Sequence, residues 1–378
     1  MKLREMFPKP VMFVVVLFLV VFAIFFLERR YQPVQVSSGG VSTTVVLNGV
    51  SNVSKDVSTE IMQKKLAYPQ APDFVGIEGW INTEPLHIED LRGKVVLVDF
   101  WTYTCINCIR TLPYLKAWKG QYGSEGFVIV GVHTPEFEFE KKYENVLNAA
   151  KEQGLVYPIA QDNAYGTWRA YGNRYWPHEY LIDIDGFVRE DHIGEGGYEE
   201  TEKAIQELLQ ERRERLQMNE KLNMVTAATN ISLGADFSLI HSPEIYLGAM
   251  TTRGNFGSSE GLSFGKTITY VLPTKFEKNE VYLQGNWKNN EDNVELVSDS
   301  GEGDVVLRYD AKQVNIVASA IGEGGALVDV TVDGVKQPSI SVGEEKLYTV
   351  VAGEGYGEHV LRMHVKRKGF RLYTFTFG

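Results

Sequence analysis

The sequence predicts two folded domains, an α/β domain followed by an all-β sandwich, behind an N-terminal transmembrane helix. Three observations support this fold class. An apolar run occupies residues 11–27, strand and helix patterns alternate over residues 71–216, and only short strand patterns follow residue 240. Alternating strands and helices are typical of a mixed α/β structure, whereas evenly spaced short strands are typical of a sandwich.

The composition is that of an ordinary globular protein and excludes some functions. The chain has 378 residues, enough for about two domains and a tail, and a net charge of −11. A nucleic-acid-binding surface needs a basic face, so this charge argues against a nucleic-acid partner. The chain has 2 cysteines, too few for a disulfide scaffold, so the pair is expected to have a chemical task.

The apolar run Val11–Leu27 predicts a membrane anchor. It is at the short end for a spanning helix but longer than the apolar core of most signal peptides. No small-x-small cleavage site follows, so residues 1–30 are predicted to stay as an anchor, with a cleaved signal peptide as the alternative. Basic residues before the run predict an N-terminus in the cytoplasm of a bacterium and all later domains outside it. These residues are Lys2, Arg4 and Lys9.

Composition sets the remaining boundaries. Residues 31–70 are rich in Ser, Thr, Val, Gly and Asn and are predicted to form a flexible tether. An α/β domain is predicted over 71–216, a linker over 217–240, and the sandwich domain over 241–378, where short alternating runs are separated by turn residues.

The α/β segment is predicted element by element. The valine-rich stretch Lys94–Phe100 is expected to be a central strand, because strands buried on both faces are continuously apolar. The Asp185–Gly186 dipeptide joins two apolar runs and predicts a hairpin turn. The other predicted elements are strands at 126–134 and 157–160 and helices at 109–121, 136–153, 166–171 and 199–216.

Both cysteines lie in the stretch VDFWTYTCINC, at the point where a buried strand gives way to a helix. Unpaired N–H groups and the helix dipole at that point favour a thiolate on Cys105. Cys105 is therefore the predicted nucleophile toward a substrate disulfide, and Cys108, one turn later, is the predicted resolving thiol. Half of a zinc site and a purely structural disulfide are the alternatives, but two cysteines need further metal ligands, and so small a loop stabilises little.

Asp99 is an acid inside the apolar strand that precedes the cysteines. Burying a carboxylate is costly, and a buried carboxyl has a raised pKa. Asp99 is therefore predicted to exchange a proton with Cys108 during the reaction. The alternative is a solvated position at the edge of the sheet.

These residues resemble the thioredoxin active-site strand and loop, with the acid six residues and Trp101 four residues before the first cysteine. Thioredoxin has Gly-Pro between its cysteines, whereas this chain has Ile106 and Asn107. Over residues 72–216, the stretches GWINTEPLHIEDLRGKVVLVDFWTYTCINC and NRYWPHEYLIDIDG resemble the membrane-anchored TlpA-like thioredoxins and most closely the DipZ type.

The resemblance implies a thioredoxin-like α/β domain and further site residues. Pro177 would be the cis-proline facing the disulfide, with an ordinary trans proline that opens a strand as the alternative, and the backbone of Trp176 would pair with an incoming peptide. Trp101 would pack beside the cysteines and Tyr103 would line the peptide groove, although either could be an ordinary core residue. No bound cofactor is expected, because the Cys105–Cys108 disulfide itself carries the electrons.

DipZ-type proteins also carry a β-sandwich similar to a carbohydrate-binding module, and SPEIYLGAMTTRGNF and RLYTFTFG resemble that domain. The resemblance implies a separate membrane thiol carrier of the CcdA or DsbD type as electron donor, because a single anchor stands here in place of the polytopic membrane part. Glycan binding is one function of the sandwich to consider, and a packing or substrate-selecting surface is the other. The candidate stacking aromatics are Trp287, Tyr282, Tyr309 and Tyr356.

The sequence leads to one main functional hypothesis and two alternatives. The main one is a membrane-tethered thiol–disulfide oxidoreductase that reduces disulfides of envelope proteins, apocytochrome c among them. A peroxiredoxin-like peroxidase shares the fold, but its motif has a proline–threonine loop before a lone cysteine. A non-enzymatic surface protein that binds glycans would not need either thiol.

Overall fold

The computed structural model describes residues 57–218, 226, 235–322 and 324–378. The predicted anchor and most of the predicted tether lie outside these residues. Within the described part of the chain, no helix combines the length and the apolar character needed to cross a membrane.

The α/β domain has a six-stranded sheet in the order β1-β4-β3-β2-β5-β6. Strands β2, β3 and β4 run parallel, and β5 and β6 form the expected antiparallel hairpin. This is the thioredoxin-like arrangement predicted from the sequence. Its strands are β1 (Gly79–Ile81), β2 (Val95–Trp101), β3 (Phe127–His133), β4 (Ile159–Gln161), β5 (His178–Ile182) and β6 (Val188–Ile193), and its helices are α1 (Val57–Ala67), α2 (Ile106–Tyr122), α3 (Tyr143–Glu152), α4 (Gly166–Ala170) and α5 (Tyr198–Arg215).

Strand β2 is the centre of this domain, and every one of its residues is buried. Because successive side chains on a strand point to opposite faces, β2 contributes to two cores. Val95, Leu97 and Trp101 pack with α2 and α5, whereas Val96, Val98 and Phe100 join the core on the other face. Asp99 lies in the first series, so it points toward the helix that carries the cysteines.

Helix α1 lies inside the segment predicted as a tether. Its Lys64 is buried and donates to Asp185 at 2.6 Å and to Glu211, and lies 2.9 Å from Asp183. The folded domain therefore begins earlier than the composition indicated, and the tether prediction is wrong for residues 57–67.

The C-terminal domain is all-β, as predicted, but its strands belong to one continuous 12-stranded sheet and not to two separate sheets. Strand β9 joins the two halves, pairing with β11 before Gly285 and with β8 and β10 from Gly285 onward. Gly285 has φ +102, and an added Cβ would lie 2.9 Å from Ser298 Oγ, so this position requires glycine. Side chains from both halves form one shared core.

The strands of this domain are β7 (Ile245–Tyr246), β8 (Thr267–Tyr270), β9 (Val281–Asn289), β10 (Val294–Leu296), β11 (Gly303–Asp310), β12 (Gln313–Ala320), β13 (Ala326–Val332), β14 (Val335–Lys336), β15 (Ile340–Val342), β16 (Lys346–Ala352), β17 (Glu358–Val365) and β18 (Phe370–Phe377).

The two domains share part of one hydrophobic core. Tyr373 of β18 packs edge-on against Phe137 and Phe139, with ring centroids 5.4 and 5.0 Å away. Tyr246 donates a hydrogen bond to Glu136 at 2.5 Å, and the Tyr103 hydroxyl donates to the Glu345 carbonyl at 3.3 Å. The C-terminal domain is therefore packed against the loops around the cysteines.

Candidate active site

The two cysteines lie where β2 gives way to α2. Cys105 is the N-cap residue of α2, and its Sγ accepts a hydrogen bond from the Cys108 backbone N–H at 3.2 Å. The first N–H groups of a helix have no partner within the helix, so a sulfur at this position can satisfy one of them. Both thiols are free, with Cys105 half-buried and Cys108 buried. Only Cys105 is therefore accessible to a protein substrate.

The environment of Cys108 favours the protonated form of its thiol. Burial raises the pKa of the Cys108 thiol well above its ordinary value, and the adjacent Cys105 and Asp99 add to that effect. A thiol must become a thiolate before it can attack a disulfide. Reaction at Cys108 therefore depends on a nearby proton acceptor.

Asp99 is the acceptor that the structure supplies beside Cys108. It lies at the centre of the sheet, between Gly131 of β3 and Glu179 of β5, and is 1% exposed. The edge position considered from the sequence is thus excluded. Burial raises the pKa of Asp99 to about 7, so that its carboxyl can gain and lose a proton near neutral pH.

The Trp176–Pro177 peptide bond is cis, as expected from the resemblance. His178 pairs with Phe100, so this dipeptide lies beside the end of β2, where the cysteine loop begins. Pro177 is buried and Trp176 half-buried. The Trp176 indole N–H donates to the Thr134 carbonyl at 3.1 Å.

Trp101 and Tyr103 are buried, as in the core alternative considered for them. They are 0% and 5% exposed, and both rings pack on His133. Tyr103 also borders a pocket, together with Ile109 and Asn145 and, from the C-terminal domain, Glu345 and Leu347. Burial lowers the pKa of His133 to about 3, so its imidazole is neutral at physiological pH.

Glu140 is a buried acid near the cysteines that the sequence analysis did not select. Its carboxylate accepts hydrogen bonds from the Thr104 hydroxyl at 2.6 Å and from the backbone N–H groups of Glu136 and Phe137 at 2.6 and 3.0 Å. It thereby fixes the residue that precedes Cys105. No sequence pattern identifies it, because it lies in a short 3₁₀ turn between a strand and a helix.

Glu179 is a second buried acid that was not selected. It is 3% exposed and occupies an inward position of the stretch HEYLI. The alternation of that strand was a usable signal, since Leu181 on the same face is a core residue.

Three of the four proposed glycan-stacking aromatics lie in the core of the C-terminal domain. Trp287, Tyr309 and Tyr282 are 0%, 1% and 4% exposed. They offer no ring face to a sugar, so the prediction is wrong for these three. Tyr356 is half-buried, and its hydroxyl accepts from the Asp236 N–H at 2.7 Å.

Among the described residues, one acidic cluster, Asp183, Asp185 and Glu211, has the spacing of a metal site. Lys64 contacts all three carboxylates. Arg189 and Arg215 contribute further ion pairs. The cluster is therefore neutralised by side chains of this chain.

Comparisons with known proteins agree with this geometry. Residues 69–191 match the AhpC/TSA family, and residues 242–378 match the family described as "Thioredoxin like C-terminal domain". DipZ of Mycobacterium tuberculosis (strain CDC 1551 / Oshkosh) is 38% identical over 311 residues, which cover 82% of this chain. The chain spans 43% of the length of that DipZ protein.

Two shorter proteins match the α/β domain. The thiol-disulfide oxidoreductase ResA of Bacillus thuringiensis (strain Al Hakam) is 30% identical over 37% of this chain and 76% of its own length. A solved structure, the thiol:disulfide interchange protein of Chlorobium tepidum TLS, is 25% identical over 38% of this chain and 97% of its own, with a TM-score of 0.33. The sheet order, the position of the cysteine pair and the similarities to ResA and DipZ identify this chain as a DipZ/TlpA-like member of the thioredoxin family.

Proposed function

We propose that this protein is an extracytoplasmic thiol–disulfide oxidoreductase that reduces disulfides in other proteins. One observation carries the proposal: Cys105 is a half-buried thiol at the N-terminus of α2 whose Sγ accepts the Cys108 N–H, while Cys108 is buried beside Asp99. An accessible nucleophile and a protected resolving thiol, three residues apart, are the parts that dithiol exchange needs.

The reaction would proceed in two steps. The Cys105 thiolate attacks one sulfur of the substrate disulfide, forming a mixed disulfide and releasing the other substrate sulfur as a thiolate. Cys108 then gives its proton to Asp99 and attacks Cys105 Sγ. The bond between Cys105 and the substrate breaks, and its electron pair leaves with the substrate sulfur. Two electrons have then moved to the substrate, and the chain holds a Cys105–Cys108 disulfide.

The location and partners belong to the same proposal. The apolar run Val11–Leu27 supports a single-pass anchor in a bacterial cell membrane, with the folded domains on the outer side. There the oxidised pair would be reduced again by a membrane thiol carrier of the CcdA or DsbD type. Disulfide-bearing envelope proteins, including apocytochrome c, are the proposed substrates.

Trapping of the mixed disulfide tests the proposed chemistry. In the Cys108→Ser variant, Cys105 can attack a substrate disulfide but cannot be released from it, so insulin supplied with its disulfides intact should accumulate as a mixed-disulfide adduct of Cys105. Cys105→Ser should form no adduct and should reduce no insulin. Turnover by Cys105→Ser at the rate of the unmodified protein would overturn the proposal.

A thiol peroxidase is the second candidate, because residues 69–191 match the AhpC/TSA family. Trp101 and a second cysteine within one turn differ from the proline–threonine loop and lone cysteine of that chemistry. We expect insulin reduction to be far faster than peroxide consumption. The reverse order of rates would favour the peroxidase.

A further inference from the structure

A row of three polar side chains crosses adjacent strands beneath the buried thiol. Asp99 of β2 lies opposite Glu179 of β5, and Glu179 lies opposite His192 of β6. Residues directly opposite each other in antiparallel strands share a face, with Cβ atoms about 4.5 to 5.5 Å apart. The row therefore begins beside Cys108 and ends on β6, which is an edge strand.

This row is costly to the fold, because buried polar groups without partners are unfavourable. Asp99 and Glu179 are 1% and 3% exposed. Within the part of the chain that the structure describes, Asp99 Oδ1 and His192 Nε2 are buried and have no hydrogen-bond partner. Burial and the neighbouring Asp99 raise the pKa of Glu179 well above its ordinary range. Two adjacent buried carboxyls cannot easily ionise together, so the pair retains a proton at neutral pH.

The outer end of the row reaches the surface. Glu179 and His192 line a depression beside α5, together with Thr201 of that helix. Glu190 and Asp191, which are exposed, complete its polar rim.

Other titratable groups face the row from the elements around it. Tyr157, which precedes β4, is fully buried, and the Asp99, Glu179 and Cys108 charges add to the burial that raises its pKa. Asp191 lies on the opposite face of β6 from His192, where it is paired with His178 Nε2 at 2.9 Å. On α5, Glu202 accepts a hydrogen bond from Tyr122.

We propose that Glu179 and His192 conduct the proton of Cys108 from Asp99 to solvent. This inference rests on the proposed thiol–disulfide exchange. Neither side chain touches a reacting sulfur, so both are positioning residues that act through Asp99.

The proton balance of the resolving step is as follows. Cys108 loses its proton to the Asp99 carboxylate while the Cys108–Cys105 bond forms and the bond from Cys105 to the substrate sulfur breaks. Glu179 releases its own proton to the His192 imidazole, which releases it to solvent. The proton on Asp99 then moves to Glu179 and restores the initial state, so one proton has left the protein.

The two chemical steps can be measured separately in the full chain with the aromatic disulfide dithiobis(nitrobenzoate). Attack by Cys105 releases a first coloured thionitrobenzoate, and attack by Cys108 on the resulting mixed disulfide releases a second. Stopped-flow absorbance over the pH range in which Asp99 titrates gives both rates. The first phase reports on the proposed function, and the second reports on the row.

We expect Glu179→Gln and His192→Gln to slow the second phase about tenfold at neutral pH and to leave the first unchanged, a smaller loss than the roughly 10²- to 10⁴-fold of a group that itself transfers the proton at the reacting atom. The matched control Glu190→Gln, on the rim, should change neither phase. The double variant Asp99→Asn/Glu179→Gln should be no slower than Asp99→Asn alone, because both residues lie on one path. A purely structural role would give independent, multiplying losses.

An unchanged second phase in Glu179→Gln or His192→Gln would overturn the proposed proton path. Losses that multiply in the double variant would overturn it as well. If Glu179→Gln lost the first phase as well, the substitution would have disrupted the fold. The second-phase rate of His192→Gln would then decide whether the proton path exists. Absence of the first phase in the unmodified chain would instead refute the proposed function.

Discussion

Asp99 is the residue whose placement has the clearest thermodynamic consequence. Its pKa is raised to about 7 from an ordinary 3.8. Between these values the folded state binds more protons than the unfolded state, so this group's contribution to stability falls as the pH rises through that window. Burial also raises the pKa of Glu136 to about 8, which extends the effect to higher pH.

We therefore predict that the free energy of unfolding is larger at mildly acidic pH than at mildly alkaline pH. Asp99→Asn should remove part of this pH dependence. At alkaline pH it should raise the free energy of unfolding by up to about 4 kcal/mol, because each unit of pKa shift corresponds to about 1.4 kcal/mol. Urea unfolding at the two pH values measures both effects. The exposed control Glu84→Gln should leave the difference unchanged. Equal stability of Asp99→Asn and the unmodified chain at alkaline pH would contradict the buried carboxyl.

Helix α1 is attached to the domain through the buried ion pairs of Lys64. Lys64 holds Asp183, Asp185 and Glu211 together. Without it, these carboxylates would repel one another, and Arg189 and Arg215 would compensate only in part. Lys64→Met should lower the free energy of unfolding by about 2 kcal/mol, between the values for exposed and buried ion pairs.

The neighbouring Lys65 provides the matched control, because it is exposed on the same helix. Lys65→Met should change the unfolding free energy by less than about 0.5 kcal/mol. Equal effects of the two substitutions, measured by urea unfolding, would show that α1 is not fixed by Lys64.

The sequence was sufficient for elements with a strong local pattern. The continuous valine run predicted β2, the Asp185–Gly186 turn predicted the hairpin, and the spacing around the cysteines predicted their position at a helix start. It was insufficient for Lys64, Glu140 and Glu179, because their burial depends on neighbours distant in the chain.

The aromatics of the C-terminal domain illustrate the same limit. Alternation shows that successive strand residues face opposite sides, but not which side is the core. Trp287 and Tyr309 belong to the core cluster, whereas Tyr282 lies on the other face of β9 and is buried against Phe276. The change of partner strands along β9 at Gly285, which joins the two halves into one sheet, could also not be predicted from a local pattern.

At the scale of the whole molecule, the C-terminal domain contributes directly to the environment of the cysteines. Tyr373 packs on Phe137 and Phe139, and Phe377 lies with Glu244 around a cavity of about 210 Å³ that reaches Asn107, between the two cysteines. The redox site is therefore built by both domains, and its properties should be measured on the full chain.

The reduction potential of the Cys105–Cys108 pair tests the central claim most directly. The full chain would be equilibrated with glutathione buffers of known potential, and the fraction of reduced pair measured by thiol alkylation. We predict a value at or below about −230 mV, in the range of glutaredoxins and thioredoxin, as expected for a reductant of protein disulfides. A value above about −150 mV, toward that of strong oxidants such as DsbA, would contradict the reductase function. A pair that never equilibrates would show that the disulfide is structural and that the site does not catalyse exchange.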